Sequence, residues 1–246
     1  LEYADLAPLA YLHIALNGNN TQFYVKHLLI DEMQDYSPIQ YKVIQKLYPC
    51  RKTILGDASQ SVNPYGSSTA DMIQKVFTTG EIMKLCKSYR STFEITSFAQ
   101  KIQPNNELEP IMRHGEHPRV LQFRNTEEEI QSLADLVSSF KSSHYTSLGI
   151  ICKTESQAKE LAQKLQPYTD CISLLSNQSS TYIKGIIITS AHMAKGLEFD
   201  EVIIPQADDK NYHSSTDKSM LYVAVTRAMH QLTLTYSGPL HICRFL

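Results

Sequence analysis

Several short segments of this chain hold residue types that could act on a phosphate group. Asp31-Glu32-Met33-Gln34-Asp35 follows the apolar run 27–30. In an open parallel sheet ligands sit beyond the carboxyl ends of strands. A carboxylate pair there can divide two jobs, one holding Mg²⁺ and the other orienting or deprotonating an attacking water. Gly56-Asp57-Ala58-Ser59-Gln60 follows a second short run, 53–55. Its glycine frees the turn, and a glutamine that both donates and accepts suits a γ-phosphate and its attacking water. Ser88-Tyr89-Arg90-Ser91 offers a guanidinium for charge developing on a transferred phosphoryl group and a flat ring for a base. Thr189-Ser190-Ala191-His192-Met193-Ala194-Lys195-Gly196-Leu197-Glu198-Phe199-Asp200 lies between two β-like runs. Leu221 to Ala228 reads as an apolar helix carrying one arginine, Arg227, a costly charge unless it meets an anion.

Each segment alone also has a plain reading. Asp-Glu-x-x-Asp is the composition of a solvated acidic turn before a helix, and Gly-Asp-Ala-Ser-Gln that of a polar β–α turn. Arg90 could pair with a surface acid, and Arg227 could sit at the wet edge of a core helix.

The elements that would position these residues alternate along the chain. Short apolar runs at 27–30, 53–55, 82–85, 120–123, 148–151, 185–189, 202–204 and 232–234 read as strands. Helical windows fall at 38–47, 68–77, 92–102, 126–140, 154–166 and 217–228. In 126–140, Thr126 with Glu129 has the form of a capping box, and Ile130, Leu133, Ala134 and Val137 recur at helical spacing. Short continuous strands between helices imply an α/β protein whose parallel sheet is covered on both faces. Residues 103–118 and 207–219 read as loops, the second polar and exposed, and a domain boundary is expected near 80–90.

Composition sets the outer bounds. The 246 residues, 42 % apolar and 20 % charged, suit one large or two small folded domains. No stretch is apolar enough to span a membrane. With 23 basic against 25 acidic residues, nucleic-acid contact would need a local basic surface. The five cysteines form no CxxC, which favours reduced, mostly buried thiols in a cytoplasm over a zinc site or a disulfide framework. None of the nine glycines precedes a lysine, so the chain holds no GxxxxGK[ST] phosphate loop. The chain opens at Leu1 without the features of a signal peptide and reads as a segment cut from something longer.

Read in order, "LLIDEMQD", "ILGDASQSV", "SYRS", "SAHMAKGLEFD" and "LYVAVTRA" resemble motifs II to VI of the superfamily 1A helicases, the UvrD/Rep/PcrA group. The resemblance covers residues 25–236. It implies P-loop NTPase, RecA-like parallel sheets flanked by helices, with ATP in the cleft between two domains. Residues 1–83 would be the later part of the first domain and 84–246 a complete second domain. Asp31 would ligate Mg²⁺ and Glu32 would act on the water. Gln60 would sense the γ-phosphate, and Arg90 and Arg227 would be arginine fingers. Tyr89 would stack on adenine, Glu198 would meet the ribose, and Gln34 and Gly196 would complete the nucleotide contacts. Tyr65, Ser190 and His192 would face nucleic acid.

The sequence departs from that family in four places. The Walker A loop and the adenine-binding glutamine motif would lie upstream of Leu1, so this chain alone is expected not to hydrolyse ATP appreciably. Arg90 and Ser190 stand 100 positions apart, too close for the large inserted domain of the group. Gly66 stands where the family has arginine after motif III, which weakens the case for unwinding, and Ser88 replaces an asparagine. The missing insertion, with "APLAYL", "IDEMQDYSPIQ", "SYRST" and "GIICKT", resembles the HelD-type branch, helicase-like ATPases that act on bacterial RNA polymerase. Expected partners are therefore DNA, single-stranded or duplex, or RNA polymerase, together with the upstream part of the same protein. A non-hydrolysing binding module derived from a helicase is the alternative. It has no need of Glu32, Arg90 and Arg227. A Mg²⁺-dependent nuclease built on Asp31, Glu32 and Asp35 leaves the other motifs unexplained.

Overall fold

The computed structural model describes residues 2–18, 22–61, 69–169, 171–177, 179, 185–238 and 241–246. The chain forms two compact units, Leu1–Lys84 and Leu85–Leu246.

In the first unit, helix α1 (Leu6–Asn17) lies against helix α2 (Pro38–Leu47). Strands β1 (His27–Ile30) and β2 (Arg51–Ile54) run parallel in a register that pairs Ile30 with Ile54. A short helix α3 (Ala70–Gln74) follows. Helix α2 starts where its sequence says it should. Ser37 and Gln40 form a reciprocal cap, the Gln40 amide donating to Ser37 Oγ at 3.4 Å while Gln40 Oε1 accepts from the Ser37 amide at 2.7 Å, and Pro38 takes the first turn. Ile30, Tyr41 and Ile73 are the buried centre. Helix α1 was not foreseen among the sequence's helical windows. It is apolar all round and has no buried residue, so no amphipathic period marks it.

The second unit is a single layered α/β domain. It comprises β3 (Lys87–Ser88), α4 (Phe93–Ile102), β4 (Glu109–Pro110), β5 (Arg119–Phe123), α5 (Thr126–Lys141), β6 (Leu148–Cys152), α6 (Glu155–Leu165), β7 (Ile172–Leu174), β8 (Ile186–Ser190), β9 (Phe199–Ile204), α7 (Ser215–Val225) and β10 (Ala228–Ser237). Six strands form a parallel sheet in the order β5-β10-β9-β6-β8-β7, with β3 and β4 paired separately. Alternation along the strands sends Ile151, Ile187, Val202 and Ile204 to one face, with α4 and α7. Ile150, Ile186, Ile188 and Ile203 go to the other, with α5 and α6. This is the two-sided parallel sheet expected from the short β-like runs.

Several local expectations are corrected. Residues 82–85 form no strand, and the chain pairs instead at Lys87–Ser88. Ile82, Met83 and Leu85 are exposed, so the apolar run lacks a sheet to enter. Strand β7, too short for its apolar content to stand out, was missed. Asn125, not Thr126, caps α5, its side chain accepting from the Glu128 amide at 2.9 Å. Glu129 is buried, and its Oε1 accepts from Thr235 Oγ1 at 2.6 Å and from the Gln206 amide at 3.0 Å. The polar stretch 207–219 is not an exposed loop, because Asp208, Tyr212 and Asp217 are all buried. Asp217 is held there by Lys153 at 2.6 Å and by the Ser214 amide at 2.9 Å. These bonds keep its carboxyl well below the usual carboxylate range despite burial.

Cys152 and Cys243 are buried thiols, and burial pushes Cys152 up to about 12. Among the described residues no helix is long and apolar enough to cross a membrane.

Candidate active site

In the first unit the acidic and Gly-Asp segments meet because their strands are parallel neighbours. The Ile30–Ile54 register sets Asp31 and Leu55 side by side at the carboxyl ends. The Leu55 amide donates to the Ile30 carbonyl, and the Met33 amide to the Leu55 carbonyl, each at 2.8 Å. Asp31 is exposed, and its Oδ1 accepts from the Glu32 amide at 2.8 Å. Glu32 has φ 54°, a left-handed conformation that costs a residue with a Cβ on the order of 1 kcal/mol or more. Such strain persists only where the surroundings hold it. Here Tyr41, fully buried, donates from its hydroxyl to the Met33 carbonyl at 2.8 Å, and burial lifts its phenol far above the usual range.

Gln34, expected to touch nucleotide, does not face solvent at all. Its exposure is 0 %, its Nε2 donates to Glu32 Oε2 at 2.6 Å, and its Oε1 accepts from the Asp57 amide at 3.1 Å. Both ends of the amide are engaged inside the protein. Asp57 accepts from the Ser59 amide at 2.9 Å and from Gln60 Nε2 at 2.9 Å, which holds the Gln60 side chain over the same turn. Gly56 is required by close approach, since a Cβ there would lie 2.4 Å from Gln34 Oε1 and 2.6 Å from the Met33 amide nitrogen. Tyr65 lies outside the described residues.

In the second unit the site forms at the starting edge of β9 and β10. Phe199 and Ala228 are register partners, so the residues before them, Glu198 and Arg227, stand next to each other. The segment around Arg90 is brought to the same edge by Ser91 Oγ, which donates to the Ala228 carbonyl at 2.6 Å, and by the Thr92 amide, which donates to the Met229 carbonyl at 3.2 Å. Arg113 fastens this junction, donating to the Arg90 carbonyl and, at 3.2 Å, to the Met229 carbonyl. Sequence reasoning left Arg113 in a loop, and no spacing signal could have found it.

Arg90 Nε lies 2.7 Å from Glu198 Oε1 in a half-exposed ion pair. Tyr89 beside it is 68 % exposed, a free ring face for a planar ligand. Gly196, at φ 80°, lets the turn after β8 swing Leu197 and Glu198 back to the strand edge.

Two expected site residues are enclosed. Arg227, expected as an arginine finger, lies just past the apolar helix. Helix α7 ends at Val225, and the Arg227 side chain is 1 % exposed. Its Nε donates to the Val223 carbonyl at 3.2 Å, its Nη1 to the Leu197 carbonyl at 3.3 Å and its Nη2 to Thr226 Oγ1 at 3.2 Å. Buried in this way, it donates to two backbone carbonyls and one side-chain hydroxyl, and ties Leu197 to the end of α7. Ser190 is buried too, and its hydroxyl accepts from the Met193 amide at 3.4 Å, closing the turn instead of meeting solvent. His192, two residues on, is exposed.

The donor set of the first unit fits magnesium brought in with phosphates. Among the described residues no three His, Cys, Asp or Glu converge as a closed cage. Magnesium held by one or two carboxylates, waters and phosphate oxygens needs none.

Residues 2–80 match the UvrD/REP helicase N-terminal domain family, and residues 168–238 match the UvrD-like helicase C-terminal domain family. The chain is similar to ATP-dependent DNA helicase Rep of Buchnera aphidicola from Schizaphis graminum, 28 % identical over 130 residues, covering 48 % of this chain and 20 % of that protein. It is 27 % identical over 145 residues to ATP-dependent DNA helicase Rep of Escherichia coli K12, covering 53 % of this chain and 22 % of that one. The chain thus spans about a fifth of the length of these relatives. A solved structure, the C-terminal domain of a possible DNA helicase from Lactobacillus plantarum WCFS1, superposes with a TM-score of 0.55 at 30 % identity, over 64 % of this chain and 91 % of that one. With both domain families matched in chain order on an α/β fold of the same kind, the chain belongs to the UvrD/Rep-like superfamily 1 helicases.

Proposed function

We propose that this chain is the later portion of an ATP-driven superfamily 1 motor. The observation that carries the reading is a strained Glu32 at the end of β1 linked, through Gln34 and Asp57, to Gln60 in the turn after β2. An acidic surface turn would need neither the left-handed backbone nor the buried amide behind it. Asp31 would hold magnesium, whose charge polarises the bound phosphates. Glu32 would take a proton from the attacking water, and Gln60 would orient that water. Arg90 would neutralise charge on the transferred phosphoryl group, Tyr89 would stack on the base, and Glu198 would accept from a ribose hydroxyl. The 246 residues contain no phosphate-gripping Gly-Lys loop, so turnover is expected only in the full-length protein.

The finer assignment is the HelD-type branch, acting on RNA polymerase. It is supported by the 91–189 interval, which in the described residues holds only the helices and strands of the second unit's own layers and no further domain. The test is ATPase activity of the full-length protein, present in wild type and lost in Glu32→Gln. Full activity in Glu32→Gln rejects the motor. Co-purification with RNA polymerase, set against strand separation on a 3′-tailed duplex, then separates the polymerase-directed branch from a DNA-unwinding one.

A further inference from the structure

A continuous hydrogen-bonded line joins Glu32 to Gln60. It runs from Glu32 Oε2 to Gln34 Nε2 at 2.6 Å, from Gln34 Oε1 to the Asp57 amide at 3.1 Å, and from Asp57 Oδ2 to Gln60 Nε2 at 2.9 Å. The middle member is the one with no access to a ligand, since Gln34 is wholly buried. Its chemistry is specific. The line needs a donor toward the Glu32 carboxylate and an acceptor toward the Asp57 amide, spanned by one side chain. A primary amide provides both on one uncharged, planar side chain. The neighbouring glycine completes the case, because any Cβ at residue 56 would collide with the acceptor oxygen of that amide.

We infer that Gln34 is a positioning residue that aims the Glu32 carboxylate and couples it to Gln60, so that displacement of either group is felt by the other. This rests on the motor reading of the site. A carboxylate on a strained residue has rotational freedom of its own, and a charge-assisted bond to a buried amide fixes its plane. Gln34 is wholly buried and presents no surface to a nucleotide. Its effect must therefore fall on the chemical step and not on nucleotide affinity.

The experiment uses the full-length protein with Gln34→Met, which keeps the length and removes both bonds. A second variant, Gln34→Glu, keeps the acceptor toward Asp57 and sets a carboxyl group against Glu32, so that the two share one proton and Glu32 is no longer a free base. Both should lower kcat about tenfold to a hundredfold, the usual effect of removing an outer hydrogen-bonding partner of a reactive group. KM for ATP, and the affinity for a fluorescent ATP analogue with Mg²⁺, should change by less than about twofold. Hydrogen exchange of the peptide containing Asp57 should quicken in Gln34→Met and stay slow in Gln34→Glu, a readout independent of turnover. Unchanged kcat in both variants while Glu32→Gln abolishes turnover overturns the inference and leaves the motor reading standing. A raised KM with unchanged kcat also overturns it, since Gln34 would then be a nucleotide contact. Turnover that survives Glu32→Gln rejects the motor reading itself. Should Gln34→Met fail to fold, the near-isosteric Gln34→Glu carries the same decision.

Discussion

Arg90 and Glu198 hold each other at 2.7 Å across the start of β9, although one precedes α4 and the other ends the turn after β8. The two side chains are 38 % and 44 % exposed, so the pair contributes at most about 1 kcal/mol. An arginine held this lightly can exchange its carboxylate for a phosphate, a stronger bidentate partner. In the full-length protein Arg90→Ala should lower kcat about a thousandfold, the lower end for an arginine finger. Its unfolding free energy should change by less than about 1 kcal/mol. Phosphate-release kinetics and urea unfolding read the two effects separately. Undiminished kcat would make Arg90 a surface brace.

Gly56→Ala drives a methyl group into Gln34 Oε1 and the Met33 backbone. The amide must leave its place between Glu32 and Asp57, and overpacking of this kind costs about 1–3 kcal/mol. Urea unfolding of the chain should show that loss. Gly80→Ala, where the nearest atom is a carbonyl oxygen 3.3 Å away, should cost less and serves as control.

Lys153 and Asp217 form a largely buried pair at 2.6 Å that ties the end of β6 to α7. Lys153→Met leaves the Asp217 carboxylate buried without its cation, and such half-removed pairs cost about 3 kcal/mol or more. Replacing both residues with apolar ones should recover much of the loss, which a double-mutant comparison by denaturant unfolding would measure.

Stability should weaken in acid through Glu94. A hydrogen bond from His114 at 2.8 Å, then one from the Gly115 amide at 2.9 Å, lowers its carboxyl from 4.5 to about 2. A carboxyl with a depressed folded pKa favours the folded state fully above its unfolded value. That contribution fades as pH falls from about 4.5 toward 2. Urea midpoints at pH 6 and pH 3 should converge in Glu94→Gln relative to wild type. An unaltered difference would remove Glu94 as the source.

Asn125→Ala should destabilise α5 by about 1 kcal/mol, since it removes the side chain that accepts from the Glu128 amide. Thr126→Ala, at the first helical residue, should cost clearly less. The reverse ranking would restore the cap read from sequence.

The local signals that proved readable are those whose cause is local. The helical windows 38–47 and 154–166 match α2 and α6, whose starts are fixed locally by caps that only the structure showed, Ser37 with Gln40 and Thr154 with Gln157, each a bond between residues three apart. The apolar runs of β6, β8 and β9 foretold a two-sided sheet because burial on both faces removes polar alternation. The cap of α5 was misread because both Asn125 and Thr126 can cap. The choice fell to Thr235 and Gln206, which draw Glu129 inward from β10 and the end of β9.

By itself the sequence determined which side chains are present and in what order, and so the family and the chemistry open to them. Tertiary structure decided which of them meet. The parallel register of β1 and β2 sets Asp31 beside Leu55. That of β9 and β10 sets Glu198 beside Arg227 at the starting ends of those strands. It also decided which side chains reach solvent, leaving Arg90 and Tyr89 outside while Gln34 and Arg227 are enclosed. The physical reason is that burial and pairing belong to neighbours distant in the chain. A one-dimensional pattern shows that an amide or a guanidinium is available, and only the packed structure shows what closes around it.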